Sequence, residues 1–79
     1  MRITMKLFAF QAEVAGREVP LDLADGASVA AAFDALKQQF PAMRWAAGTL
    51  AAVNAEFAPL DRELRAGDIV AVIPPVSGG

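Results

Sequence analysis

The chain has 79 residues and a formal net charge of −2, and it contains neither Cys nor His. This length fits one small domain, close to the size at which an apolar core suffices without cross-links. The missing Cys and His exclude disulfides, thiolate or imidazole metal sites, a cysteine nucleophile and the commonest acid/base group at neutral pH. A weakly acidic chain without a basic stripe also argues against nucleic-acid binding.

The sequence carries no segment suited to a membrane or to export. No run approaches the roughly 18 apolar residues that a membrane-spanning helix needs. The first ten residues, MRITMKLFAF, contain charges and β-branched residues where a signal peptide has a continuous apolar segment. We therefore expect a cytoplasmic protein that makes no membrane contact.

Two strands are predicted at the start of the chain. Residues 2–10 alternate as the first strand, with Phe8 on its less apolar face. Residues 11–16 break this alternation and predict a helical turn. Residues 18–23 alternate again, and the short connection predicts that the two strands pair antiparallel.

One amphipathic helix is predicted over residues 28–39. Ser28 is a suitable N-cap, and Pro41 ends the helix. Phe33 belongs to an apolar stripe at helical spacing, which indicates core packing rather than a cofactor site. We expect Trp45 to fold over the edge of the same core.

The second half of the chain predicts three more strands. Residues 50–54 form one strand, residues 56–59 a short edge strand, and residues 69–73 a final strand that is apolar on both faces. A strand of that kind belongs in the interior of a sheet, here beside the first strand and parallel to it. An α+β arrangement in β-β-α-β-β order, with one main helix packed across a mixed sheet, is that of the ubiquitin-like β-grasp.

The chain ends in a segment that differs from the rest. Backbone hydrogen bonding of the last strand should stop at the two prolines, which have no N–H to donate. We therefore predict a domain over residues 1–73 and an extended tail over residues 74–79. A polyproline-like tail of six residues would reach roughly 18 Å, and its glycine tip has no side-chain width. The tail residues are Pro74, Pro75, Val76, Ser77, Gly78 and Gly79.

The chemistry of the body is sparse. No Ser, Thr or Lys has a His partner, and the carboxylates fall mainly in turns, where they are usually solvated. Motifs for metal binding, phosphate binding or a catalytic triad are absent from the sequence. We therefore expect that the chain is not an enzyme alone and binds no metal or cofactor. A C-terminal carboxylate that another protein activates is the remaining reactive group, and a frayed terminus is the alternative interpretation.

Three stretches carry a family resemblance. They are LFAFQAEVAG at residues 7–16, LAAVN at residues 50–54 and GDIVAVIPPVSGG at residues 67–79. Together they resemble the small, sulfur-carrying subunit of molybdopterin synthase, a member of the ubiquitin-like sulfur-carrier family. The similarity spans essentially the whole chain, although Val72 and Ile73 stand where family members often have aromatic residues.

The resemblance implies a non-catalytic carrier subunit whose reactive end is Gly78-Gly79. An E1-like adenylating partner would use ATP and magnesium to adenylate the Gly79 carboxylate, and a sulfur donor would convert it to a thiocarboxylate. The large subunit of molybdopterin synthase would then bind the tail. Sulfur would pass there to a cyclic pyranopterin precursor in molybdenum cofactor biosynthesis.

A carrier of this kind also needs a surface for its partners. We predict that Phe8 lies in an exposed apolar patch, with Val70 and Val72 beside it and Val76 at the root of the tail. Exposed arginines near residues 62–65 are expected to be solvated rather than to bind a partner.

Three other functions fit the sequence. The chain is a candidate ubiquitin-like protein modifier, joined through Gly79 to lysines of target proteins. It is also a candidate sulfur carrier for thiamine or cysteine synthesis, which fits the fold but suits the PPVSGG ending less well. The last alternative is a structural or regulatory domain in which Gly79 has no role.

Overall fold

The computed structural model describes residues 1–75. Its elements, in chain order, are β1 (Arg2–Lys6), α1 (Ala9–Ala15), β2 (Glu18–Asp22), α2 (Val29–Gln39), β3 (Leu50–Val53), β4 (Glu56–Ala58) and β5 (Ile69–Ile73). Val76, Ser77, Gly78 and Gly79 lie outside the described residues, so the division into a domain and a tail stays a prediction.

The five strands form one mixed sheet in the order β2-β1-β5-β3-β4. The β1–β5 pair is parallel, and the other three neighbouring pairs are antiparallel. The last strand therefore occupies the centre of the sheet beside the first strand, which confirms the prediction made from its apolar character. With α2 packed across one face, the architecture is the ubiquitin-like β-grasp.

The main helix forms where its residue pattern predicts. The Ser28 hydroxyl oxygen accepts a hydrogen bond from the Ala31 N–H at 3.2 Å, and this satisfies one of the free donors of the first turn. Phe33 is buried against the sheet, in the same cluster as Val29 and Leu36. Within the part of the chain that the structure describes, no helix combines the length and the apolar character needed to cross a bilayer.

Trp45 closes the edge of this core, as predicted. Its ring centroid lies 5.0 Å from that of Phe33, with an angle of 47° between the ring planes. The Lys37 ammonium lies 5.0 Å from the centroid of the indole ring, a distance at which a cation is attracted to the ring face. The two contacts fix the segment after α2 against the helix.

The first strand is shorter than predicted. It ends at Lys6 instead of residue 10, and the chain then turns into α1 through Ala9, whose φ is 51°. The Leu7 N–H still donates to the Arg17 carbonyl at 2.8 Å, which holds the start of this connection beside the end of the hairpin. The sequence alternates on through Phe10 because apolar residues of the short helix continue the strand pattern by chance.

Candidate functional site

The last strand contributes to both faces of the sheet. Because side chains alternate along a strand, Val70 and Val72 point toward α2, and each is 0% exposed. The prediction that these two valines lie beside Phe8 on a docking surface is wrong, since neither side chain can reach a partner. Ala71 and Ile73 point to the opposite face, which no helix of the described residues covers.

A row of side chains crosses this open face at right angles to the strands. The strand register places Lys6 of β1 beside Ala71 of β5, then Ala52 of β3, then Phe57 of β4. Neighbouring strands are about 4.8 Å apart, so two adjacent alanines leave a depression between larger side chains. Ala52 is buried although it does not belong to the core under α2, which is consistent with its position on the floor of this depression.

The depression is part of an apolar groove of about 500 Å³, which we call the open-face groove. Every residue that lines it is apolar: Phe8, Ala52, Ala55, Phe57, Ala71, Ile73 and Pro74. No charged group is available there to bind a polar ligand or to transfer a proton. A concave apolar surface of this kind is suited to another protein's apolar side chains.

Two phenylalanines form the raised walls of the open-face groove. Phe8 is 42% exposed and lies on this face, as predicted. Phe57 is 73% exposed and was missed by the sequence analysis, which treated residues 56–59 only as an edge strand. The pairing of Ala52 with Phe57 across the β3–β4 hairpin was the available signal, because it sets the side chain that faces Ala52.

The tail begins at the rim of the same groove. Pro74 follows directly after β5 and lines the groove. Pro75 packs beside the loop before β3, where a Cβ placed on Gly48 would lie 3.8 Å from the Pro75 Cβ. The predicted tail residues Pro74 and Pro75 are thus at the root of the chain segment that leads to residues 76–79. A partner that covers the open-face groove would also contact the start of the tail.

The opposite end of the central strand is fixed by polar contacts. The Asn54 side-chain oxygen accepts from the Ile69 N–H at 3.0 Å, and its amide nitrogen donates to the Asp68 carboxylate at 2.9 Å. The Arg65 N–H donates to the other oxygen of Asp68 at 2.8 Å. The Arg65 N–H and then the Asn54 amide hold the pKa of Asp68 below its usual value, because both stabilise the ionised form. These bonds fix where β5 begins, and hence which of its residues face the groove.

The rest of the charged surface offers no catalytic arrangement. Across residues 1–75, no three acidic side chains converge as a metal site would require. Arg62 and Arg65 are exposed, as predicted, and lie beside Glu63 and Asp68 at the end of the sheet opposite Pro74. The described site can therefore bind an apolar surface and direct the tail, while the reactive group itself belongs to residues 76–79.

Comparisons with known proteins agree with this arrangement. Residues 5–79 match the family described as the ThiS family. Small archaeal modifier protein 1 from Haloferax volcanii is 43% identical over 84 aligned positions, covering 94% of this chain and 97% of that protein. Its crystal structure superposes with a TM-score of 0.86 and 38% identity, covering all of both chains.

Two further structures have the same fold. A Pyrococcus furiosus protein assigned as subunit 1 of a molybdopterin converting factor has a TM-score of 0.84 and 29% identity, covering 95% of this chain and 98% of its own. A chain in the complex of subunits 1 and 2 of the Helicobacter pylori molybdopterin-converting factor has a TM-score of 0.70, with full coverage of both chains. At 19% identity, this last similarity shows the fold alone.

Proposed function

The chain belongs to the ThiS family of ubiquitin-like sulfur carriers, and from that premise we propose that it is the small, sulfur-carrying subunit of a molybdopterin synthase. The main support is the apolar open-face groove, which ends at Pro74 where a PPVSGG tail begins. The 29% identity to the Pyrococcus furiosus converting-factor protein gives the molybdopterin assignment its second support.

In the proposed reaction, the carboxylate of Gly79 is activated by a partner. A carboxylate oxygen attacks the α-phosphorus of ATP, with magnesium held by the adenylating partner, and pyrophosphate leaves. A sulfide-level donor then attacks the acyl carbon and displaces AMP, so that one carboxylate oxygen is replaced by sulfur. The sulfur of the resulting thiocarboxylate is a soft nucleophile for the pyranopterin precursor in the large synthase subunit.

This chain's own contribution to the reaction is binding and delivery. Phe8 and Phe57 would insert into apolar depressions of a partner, and the floor made by Ala71 and Ala52 would admit a partner side chain. Pro74 would hold the first tail residue to a narrow range of backbone angles, which lowers the entropy lost when the tail enters a channel. Proton transfer and phosphate binding are left to the partners.

The test is intact-mass spectrometry of the chain after incubation with an adenylating partner, ATP, magnesium and a sulfur source. We expect a mass change equal to the replacement of one oxygen by sulfur, which is lost when Gly79 is deleted. Arg65→Gln, an exposed change at the far end of the sheet, is the matched control and should load normally. An unchanged mass under conditions where a known carrier loads would refute the proposal.

A second function is supported by the 43% identity to small archaeal modifier protein 1. In that case a lysine amine of a target protein attacks the activated Gly79 carbonyl, and an isopeptide bond replaces the bond to AMP. Both functions use the same activated tail and the same open-face groove. Complementation distinguishes them, because a carrier restores molybdenum cofactor in a strain that lacks its own. A modifier instead forms isopeptide-linked conjugates and leaves the cofactor missing.

A further inference from the structure

A second groove lies at the end of the molecule from which the tail departs. It has a volume of about 640 Å³ and runs between α1 and the segment that precedes β3. Apolar side chains of both elements form most of its lining, while one cation and one anion also face it. The residues used below are Phe10, Glu13, Val14, Arg44, Trp45 and Ala46.

Polar groups at this groove lack hydrogen-bond partners. The Gln11 side chain is 1% exposed and donates from Nε2 to the Arg44 carbonyl at 3.1 Å, but its Oε1 accepts no hydrogen bond from the described residues. The Trp45 Nε1–H is also buried without an acceptor there. Buried polar groups are normally paired, so one free donor and one free acceptor indicate a site that a peptide backbone can complete.

Arg44 gives the groove a cationic end. Its guanidinium has no carboxylate within ion-pairing distance among residues 1–75, where the ion pairs are those of Met1 with Asp25 and of Arg2 with Asp22. Glu13 also lines the groove and offsets part of this charge. An occupant with an apolar side chain, backbone amides and a terminal carboxylate matches these features.

The tail has the length to reach this groove. Leu50 pairs with Ile73 in the antiparallel β3–β5 ladder, and two residues further along Gly48 lies beside Pro75. From there Arg44 is four residues back along the chain, and Gly79 is four residues onward. Four residues span at most about 14 Å, so the two stretches have equal reach from a shared starting point. A hydrogen bond from the Thr49 N–H to the Ala46 carbonyl turns the first stretch away from the ladder, toward the groove.

We propose that residues 76–79 fold back into this groove in the free protein. In this state Val76 packs toward the Trp45 side of the groove, and the Gly79 carboxylate pairs with Arg44. The adenylating partner therefore has to draw the tail out before it can react with the carboxylate. This inference goes beyond the carrier role and holds equally for a modifier.

The test uses Trp45, which is the single tryptophan of the chain. We compare the full chain with a chain ending at Pro75, by fluorescence and by the indole N–H signal in a nitrogen–proton NMR spectrum. Removal of residues 76–79 should shift both signals, and adding the peptide Val-Ser-Gly-Gly to the shortened chain should reverse the shift. The same peptide with an amidated C-terminus should bind about two- to five-fold more weakly, as expected for loss of an exposed charge pair.

Point variants then locate the contact. Arg44→Gln in the full chain should move the indole signal toward that of the shortened chain, while Arg65→Gln should leave it unchanged. Identical Trp45 signals in the full and shortened chains would overturn the proposal. So would peptide-induced shifts confined to Ala71 and Phe57, which would place the tail on the open face. A dependence of the Trp45 signal on protein concentration would also overturn it, because the tail would then come from a second copy.

This test is independent of the carrier function. Sulfur loading measured on Arg44→Gln reports whether the tail still reacts once it is released. Failure of the unaltered chain to load would refute the carrier proposal alone, whereas an unmoved Trp45 signal would refute the fold-back alone.

Discussion

The two faces of the sheet are both apolar, yet they serve different purposes. On the covered face, Val70, Val72 and Met5 are fully buried beneath α2. On the open face, Ala71 and Phe57 belong to a groove that no described residue fills. The difference between the faces therefore lies in packing rather than in residue type.

This difference indicates where stability and recognition reside. Burial of a large apolar side chain stabilises a fold by roughly 1.5–3 kcal/mol, so the covered face supplies most of the folding energy. Apolar side chains left exposed contribute little until a partner covers them. Phe57 is the clearest example, because 73% of its surface is exposed. The predictions below test this division with matched changes on each face.

The largest effect is expected from Phe33→Ala on the covered side. Phe33 is 6% exposed and packs against both the sheet and Trp45, so its truncation should lower the free energy of unfolding by about 3–5 kcal/mol. Thermal or urea unfolding, followed by circular dichroism, measures the change. A loss below 1 kcal/mol would contradict the assignment of Phe33 to the core.

The same truncation on the open face should act on binding instead. Phe57→Ala should weaken binding to the adenylating partner by about 30-fold, equivalent to about 2 kcal/mol. The free energy of unfolding should change by less than about 1 kcal/mol, because little of the side chain is buried. Titration calorimetry gives the affinity, with Phe33→Ala as the reciprocal control at a temperature where it stays folded. Unchanged affinity would remove Phe57 from the docking surface.

The sequence allowed most of the framework to be predicted, but not this division. The Ser28 cap, the helix after it and the central position of β5 follow from capping, helical spacing and an apolar strand. The two faces of β5 could not be distinguished, since Val70 and Val72 alternate with residues that are also apolar. Phe57 was missed because one apolar residue in a three-residue strand sets no alternation. Only the strand register assigns it to the groove.

A smaller effect is expected at the turn that joins β3 to β4. Ala55 has a φ of 73°, a left-handed conformation that is costly for a residue with a side chain. Ala55→Gly should therefore raise the free energy of unfolding by about 0.5–1 kcal/mol, by relieving that cost in an Asn-Gly turn. Asn54→Ala is the opposing control, and should destabilise by loss of the bonds to Ile69 and Asp68. A lower melting temperature for Ala55→Gly would contradict this view of the turn.

The smallest effect concerns pH and acts on neither face. The lowered pKa of Asp68, caused by donors from Arg65 and Asn54, means that folding favours its ionised form. Its contribution is present above the unfolded pKa, which is about 3.9, and is lost as the pH falls through the lower folded value. The difference in melting temperature between pH 7 and pH 3 should therefore be smaller in Asp68→Ala than in the unaltered chain. Asp61→Ala, in an exposed turn, should preserve the full difference.

The central position of β5 also links folding to protein synthesis. Thr4 of β1 pairs with Ile69, so the strand that joins the two halves of the sheet is the last one to leave the ribosome. A nascent chain that stops before this point holds two separate hairpins and lacks Ala71 on the groove floor. Pairing across such a sequence separation is slow to form and closes late. Incomplete translation products are therefore unable to occupy the partners of the finished protein, which protects those partners from unproductive binding.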